Sequence, residues 1–329
     1  MSSVKGTTNT LASQALASDA GEGKASRPLQ GWALISRALI YDKLSLVAVL
    51  FLTILAFSAI FSPLVAPYDP NLQSLLLRNQ PPMTAAEVPG EPPHILGTDA
   101  LGRDLLSRLI YGSRISLAVG AVSVIISGVA GTVVGLIAGF RRGVIDDLVM
   151  RAVDIQMGFP SLLLALLILY ALGASIWNVI FVLAITRWTI YARMARGIVL
   201  AERENAYVEA AQSMGCSERR ILFLHILPNM LAPLLVLGTL ETATLILSEA
   251  SLSFLGLGIQ PPDTSWGLML AEGRQYMRAA WWLVMFPGLA ILFTALSLNL
   301  CATWLRGVTD PVQRWRYLRR ADSAQEPGR

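Results

Sequence analysis

The chain has 329 residues, of which 54% are apolar and only 15% are charged, and its mean hydropathy is +0.56. A soluble domain normally carries about a quarter charged residues, so this composition excludes an ordinary soluble protein and predicts an all-α, polytopic membrane protein. The net charge of +4 fits membrane topology better than nucleic-acid binding. Neither a disulfide framework nor a metal site is predicted, because the chain has only two separate cysteines (Cys216, Cys301) and two histidines (His94, His225).

Six apolar runs follow an N-terminal tail that is rich in small and polar residues. We expect residues 1–43 to form a disordered cytoplasmic tail, because 1–27 show no hydrophobic period. Each apolar run has the roughly 20 residues that a membrane-spanning helix needs. The runs lie at 44–64, 115–139, 148–172, 176–200, 229–256 and 281–305. The sequence therefore predicts six transmembrane helices, a core domain at 115–305 and a cytoplasmic tail at 306–329.

The segment at 65–114, between the first two runs, is predicted to be extracytoplasmic. Its first half is rich in proline, and its second half carries leucines at helical spacing from Leu101 onward. Thr98 or Asp99 is suited to cap such a helix. We expect an amphipathic helix here that leads into the second span.

The second span contains Gly131, Gly135 and Gly139, which form a GxxxGxxxG pattern. Small residues at this spacing let another helix approach closely. The pattern therefore predicts tight helix packing rather than contact with a transported solute.

Lys and Arg are distributed unequally between the segments that connect the spans. If the N-terminus is cytoplasmic, most of the 26 basic residues fall in the two tails, at Arg141–Arg142 and in the 193–220 region. This asymmetry follows the positive-inside rule. It places both termini and the loop at 201–228 in the cytoplasm.

The loop at 201–228 is a polar, helix-forming insert between two apolar spans. Its first half is rich in Ala, Glu and Gln, which favour helix, and Gly215 is suited to a left-handed cap at the helix end. Ser217 can start a second short helix, and Pro228 fits the first turn of the fifth span. Such an insert in a lipid-embedded chain indicates a docking site for a soluble partner.

Charged residues inside the spans are costly and are therefore functional candidates. Arg151 and Asp154 are three residues apart, so we expect a structural ion pair. Arg187 lies in the fourth span, and Glu241 and Glu249 lie in the fifth, where both can face the bundle interior. Glu249 is the first candidate for a group that offsets a positive charge on a transported solute. The alternative is that Glu249 pairs with Arg187, or with a partner's arginine, and only fixes packing.

No phosphate-binding GxxxxGK[ST] motif occurs in the sequence, since none of its three lysines is followed by Ser or Thr. No Ser/His/Asp or HExxH arrangement suggests catalysis either. The chain is therefore predicted not to be an enzyme and to bind no cofactor of its own.

Several segments together resemble the C-type permease subunit of bacterial dipeptide and oligopeptide ABC importers. The first group precedes the loop at 201–228: Leu96-Gly-Thr-Asp-x-Leu-Gly-Arg-Asp104, Leu109-Ile-Tyr-Gly-x-Arg114, Met150-Arg-Ala-Val-Asp154 and Phe159-Pro-Ser161. The loop itself has the spacing Glu209-Ala-Ala, Gly215 and Leu227-Pro228. The second group follows it: Phe254-Leu-Gly-Leu-Gly258, Gln260-Pro-Pro262, Trp281-Trp282 and Phe286-Pro-Gly288. The resemblance covers roughly residues 94–310.

This resemblance implies a type I ABC importer permease in the bacterial inner membrane. The implied partners are a second permease subunit, two ABC ATPase subunits or domains that hold ATP and Mg²⁺, an extracytoplasmic binding protein and a peptide substrate. The loop is then the coupling element that seats on the ATPase. Its candidate coupling residues are Tyr207, Glu209, Ala210, Ala211, Gly215, Arg219, Arg220 and Pro228.

Other functions stay open at this point. Related permeases carry nickel, glutathione or opine-like conjugates. An ion-coupled secondary transporter or a channel would use the intramembrane charges and would need no ATPase. A membrane-embedded enzyme is weaker, because neither a nucleophile nor a metal set supports it.

Overall fold

A computed structural model describes residues 39–40 and 42–309 of the chain. The predicted tail at 1–43 and the predicted C-terminal tail at 306–329 lie almost entirely outside the described residues. The chain divides into units at 1–41 and 42–329, and all that follows concerns the second of these.

The described part is helical, and no β-strand occurs within residues 42–309. In chain order the helices are α1 (Lys43–Ile60), α2 (Ser62–Val65), α3 (Leu105–Arg141), α4 (Gly143–Met157), α5 (Ser161–Leu172), α6 (Ile176–Glu202), α7 (Ala206–Ser213), α8 (Glu218–Arg220), α9 (Leu227–Phe254), α10 (Trp266–Gly273) and α11 (Trp282–Thr309). Short 3₁₀ turns occur at Leu75–Leu77 and Arg274–Tyr276, and a π turn at Ile221–Ile226 joins α8 to α9.

Four of the helical segments in 42–309 are long and apolar enough to cross a membrane: Lys43–Ile60, Leu105–Arg141, Glu218–Phe254 and Trp282–Thr309. The predicted third span is broken, because α4 and α5 meet at 88° across Gly158, Phe159 and Pro160, and the pair would make a fifth span. The predicted fourth span forms the 27-residue helix α6, but its arginines keep it out of the apolar set. The count of six therefore stays a prediction.

The helix α3 begins at Leu105, and its capping residue is Asp104. The Asp104 carboxylate accepts a hydrogen bond from the Ser107 N–H at 2.7 Å. The prediction of a cap at Thr98 or Asp99 was therefore wrong. Gly102, with φ of +74°, ends the preceding turn, so the predicted amphipathic helix starts later and is continuous with the second span.

The glycine pattern of α3 packs against the backbone of α6, as the sequence predicted. A Cβ on Gly131 would lie 2.3 Å from the Trp188 carbonyl oxygen, and one on Gly135 would lie 2.2 Å from that of Ala192. No Cβ fits at either distance, so only glycine permits this crossing.

Residues 66–104 fold over the start of α3 and over α10. Four charged side chains, Asp99, Arg103, Arg108 and Glu272, form a buried ionic cluster here. Both arginines reach Asp99 at 2.6 Å, and they reach Glu272 at 3.1 and 2.8 Å. Arg108 is only 2% exposed and the Glu272 side chain is 33% exposed, so the cluster ties the loop to two helices and is buried except at Glu272.

Candidate functional site

The loop between α6 and α9 folds as the sequence predicted at its centre. The helix α7 ends at Ser213, and Gly215 follows with φ of +78°. The Cys216 N–H donates to the Ala211 carbonyl at 3.1 Å, and the Gly215 N–H donates to that of Gln212 at 2.9 Å. These two bonds are the Schellman arrangement, so Gly215 provides the left-handed cap.

The helix α7 has an inner and an outer face. Val208 and Ala211 are buried and pack among the apolar side chains of α3, α6 and the π turn. Ala206 and Ala210 are exposed, and Met214 beyond them is 77% exposed. The outer face therefore combines small side chains with polar ones, since Glu209 and Gln212 are exposed beside Ala206 and Ala210, and Ala211 does not belong to it.

The charged candidates of the loop all point outward. Glu209, Arg219 and Arg220 are exposed, and in the part of the chain that the structure describes none of them forms an ion pair. Pro228 lies in the first turn of α9, directly after the π turn. These groups are free to contact another protein.

Tyr207 stands at the edge of the outer face and is 38% exposed. Its hydroxyl donates to the Glu202 carboxylate, and the Asn229 amide contacts that hydroxyl at 3.4 Å. Burial, and then the bond to Glu202, raise the pKa of Tyr207 above its usual value. The side chain therefore stays a neutral donor and holds α7 against the end of α6.

Arg203 anchors the loop to the end of α3. Its guanidinium donates to the Phe140 carbonyl at 2.6 Å and lies 5.3 Å from the centre of the Phe140 ring. Such a cation–π contact adds to the hydrogen bond. Arg203 therefore links the loop to the last turn of α3.

Sequence reasoning missed two large apolar residues beside this outer face. Phe223 and Leu224 lie in the π turn and are 55% and 62% exposed. The only signal for them was an uninterrupted apolar stretch before Pro228, which also fits the start of a span.

The predicted ion pair between Arg151 and Asp154 is not formed. Asp154 instead pairs with Arg193 of α6 at 2.5 Å, and Arg196 of α6 binds Asp146 of α4 at 2.6 Å. The helix α4 lies across α6. Its carboxylates therefore contact arginines of α6 rather than Arg151 of α4 itself. Within residues 42–309, Arg151 has no ion-pair partner.

The remaining intramembrane candidates separate into two sites. Arg187 lies 3.7 Å from Glu241, so these two form a long pair between α6 and α9. Glu249 is 0% exposed and accepts hydrogen bonds from Ser116 at 3.1 Å and Ser253 at 2.8 Å. Glu249 therefore does not pair with Arg187.

The described residues contain no cluster of three or more His, Cys, Asp or Glu side chains that is suited to a metal ion.

Comparison with known proteins matches two family profiles along the chain. Residues 131–315 match the binding-protein-dependent transport system inner membrane component family. Residues 31–82 match the N-terminal TM domain of oligopeptide transport permease C.

Curated relatives cover most of the chain. The di/tripeptide transport system permease protein DppC of Pseudomonas aeruginosa is 43% identical over 84% of this chain and 90% of its own length. The dipeptide transport system permease protein DppC of Escherichia coli is 44% identical over 82% of this chain and 89% of its own. The probable D,D-dipeptide transport system permease protein DdpC of Escherichia coli is 40% identical over 82% and 87%. The chain therefore belongs to the family of inner membrane components of binding-protein-dependent transport systems.

Proposed function

We propose that this chain is one permease subunit of an ATP-driven peptide importer. Membership of the transport family and the peptide cargoes printed in the names of its relatives support the peptide substrate. The single observation that carries the proposal is the outward face of α7, capped by Gly215 and anchored by Arg203.

The assembly that this function needs has five kinds of member. They are this chain, a second permease subunit, two ABC ATPase subunits or domains with their ATP and Mg²⁺, an extracytoplasmic binding protein and the peptide. Six spans, with α6 and the bent α4–α5 pair each crossing once, place both termini and α7 in the cytoplasm. The apolar faces that α1, α4 and α5 leave exposed are then available to lipid and to the second permease.

Energy enters through the loop. Closure of the ATPases moves α7, and the Arg203–Phe140 contact and the continuous helix from α8 to α9 pass that movement to α3 and α9. Alternation between inward-open and outward-open states follows from such a displacement of packed helices. No catalytic residue of this chain takes part.

The cap of α7 offers a direct test. In Gly215→Val a β-branched residue must adopt φ of +78°, which costs about 1–3 kcal/mol and favours unwinding of the cap. We expect a several-fold loss of peptide uptake and of ATPase co-purification, while membrane insertion is unchanged. Quantitative pull-down of the assembled transporter and uptake into proteoliposomes measure the two effects.

Gly173→Val is the matched control for this substitution. Gly173 also ends a helix, its φ is +83°, and a Cβ there would meet no atom within 4 Å, as at Gly215. The strain at Gly173 is at least as large, because its ψ of 159° is a conformation that only glycine adopts readily, and it is placed at the opposite end of the bundle. Equal losses in both variants, or none in Gly215→Val, would contradict a coupling role for the cap.

We also propose that Arg187 and Glu241 contribute to the translocation pathway, because they lie together between α6 and α9 at 3.7 Å, too far apart to satisfy each other fully. The hydrogen bonds of Glu249 favour a packing role for that residue. Glu249→Gln preserves the shape of the side chain and one of its two accepting oxygens, and its amide N–H can donate to the other serine hydroxyl. We expect the purified variant to assemble, hydrolyse ATP and take up peptide at nearly the wild-type rate. Abolished uptake with intact ATPase activity would return Glu249 to the pathway.

A further inference from the structure

The two buried glutamates of α9 differ in how their carboxylates are satisfied. Glu249 accepts hydrogen bonds from two serine hydroxyls. The Oε2 atom of Glu241 has no hydrogen-bond partner among residues 42–309, and the nearest cation, Arg187, is 3.7 Å away. That separation is longer than a charge-assisted hydrogen bond, which spans about 2.7–2.9 Å.

A third polar group adjoins this pair. Tyr191 follows Arg187 by four residues, so both project from one face of α6. Tyr191 is only 2% exposed, and its hydroxyl also lacks a hydrogen-bond partner within the described residues. Gly238 of α9 faces that hydroxyl, since a Cβ on Gly238 would lie 3.7 Å from it.

Leaving such groups unpaired is costly. A buried polar atom without a partner has lost its hydrogen bonds to water and gained none in return, and folded proteins keep few such atoms. Two such atoms beside one long ion pair indicate a binding site for a ligand that supplies the missing hydrogen-bond partners. The side chains of Arg187 and Glu241 are 17% and 11% exposed, but the Tyr191 hydroxyl and Glu241 Oε2 are themselves covered. A ligand therefore reaches these two atoms only when the bundle opens during the transport cycle.

We propose that Arg187, Tyr191 and Glu241 form a binding site for the zwitterionic backbone of a short peptide. This inference rests on the proposed function. The peptide carboxylate accepts hydrogen bonds from the Arg187 guanidinium and the Tyr191 hydroxyl. The peptide ammonium donates to the free Oε2 of Glu241.

The charges of the site select this ligand class. Arg187 and Glu241 neutralise each other, so a ligand with a net charge would leave one charge uncompensated in a region of low dielectric. A zwitterion adds one charge of each sign and keeps the site neutral. A water molecule is the competing occupant, and it would satisfy the same atoms without any preference for charged ends.

The test uses the purified transporter, with this chain, its second permease and its ATPases, in nanodiscs without the binding protein. The probe is radiolabelled alanyl-alanine in an equilibrium binding assay. We expect Tyr191→Phe to bind it about tenfold more weakly, the usual effect of one lost hydrogen bond to a charged group. The melting temperature should not fall, because the lost hydroxyl has no partner in the described part of the protein. N-acetyl-alanyl-alanine amide should not compete.

A second variant tests the same site without removing a polar group. Gly238→Ala places a methyl beside the Tyr191 hydroxyl at ordinary contact distance, so we expect it to fold and to weaken binding. Gly288→Ala is the control, because a Cβ there meets only a Leu270 methyl at 4.0 Å. If Tyr191→Phe does not assemble, the dipeptide affinity of Gly238→Ala alone tests the proposal.

Wild-type affinity in both variants, or equal competition by the blocked peptide, would assign the site to water and overturn the proposal. The proposal is also overturned if the wild-type complex binds no dipeptide while it still supports uptake with the binding protein. If the wild-type complex with its binding protein imports no peptide at all, the proposed function itself fails.

Discussion

Asp99→Ala is expected to lower the stability of the protein by about 3–5 kcal/mol, the usual cost of removing one partner from a buried ion pair. Asp99 is 5% exposed and receives both Arg103 and Arg108 at 2.6 Å. It also accepts the N–H groups of Leu101 and Arg103. Without Asp99, the ion-pair partner left to Arg108 within the described residues is Glu272, which is one-third exposed.

The measurement is the melting temperature of the purified protein in detergent, and we expect a fall of roughly 5–15 °C. Glu204→Ala is the control, because the Arg142–Glu204 pair is 3.4 Å long and largely exposed. Exposed pairs contribute about 0–1 kcal/mol, so this variant should melt within a few degrees of wild type. If both variants melt together, the cluster is not a stabilising link between the loop and α10.

The sequence predicted those features that depend on local pattern. Four of the six apolar runs became helices close to their predicted limits, whereas the second run extends back to Leu105 and the third is broken between Met157 and Ser161. The spacing of Gly131 and Gly135 indicated a close helix crossing, and Gly215 was recognisable as a cap because glycine adopts a positive φ without strain.

Features that depend on which helices meet were not predictable in this way. Asp154 looked like the partner of Arg151 because they are three residues apart, yet Arg193 lies 39 positions away in sequence and is the one in contact. The run at 148–172 looked like one span, yet α4 and α5 meet at 88°. Asp99 was expected to cap a helix, but two buried arginines compete for its carboxylate.

In the candidate site, too, local features were predictable and features that depend on which helices meet were not. The loop at 201–228 has a recognisable residue spacing, and its helix and the cap at Gly215 formed where they were predicted. Tyr191 carried no signal of its own except its position four residues after Arg187. Only the crossing of α6 with α9 brings its hydroxyl beside Gly238 and close to Glu241, and that crossing joins residues about fifty positions apart.

Gly135→Val is expected to prevent correct assembly of the helix bundle. A Cβ at this position would lie 2.2 Å from the Ala192 carbonyl oxygen and 2.9 Å from the Ala192 Cα. Real Cβ atoms do not approach backbone atoms so closely, so α3 and α6 must separate along their whole contact. Small-residue crossings depend on this contact for much of their association energy. We expect a large loss of monodisperse protein on size-exclusion chromatography and a strong fall in melting temperature.

Gly197→Val distinguishes this effect from the general effect of placing a valine in a helix. Gly197 lies in α6, the other helix of the same crossing, and a Cβ there would meet no atom within 4 Å. Valine is a better helix former than glycine, so this variant should be as stable as wild type or slightly more stable. The clash at Gly135 is with a main-chain oxygen, so Ala192→Gly should not rescue Gly135→Val. Rescue by Ala192→Gly, or normal assembly of Gly135→Val, would show that the two backbones do not lie against each other.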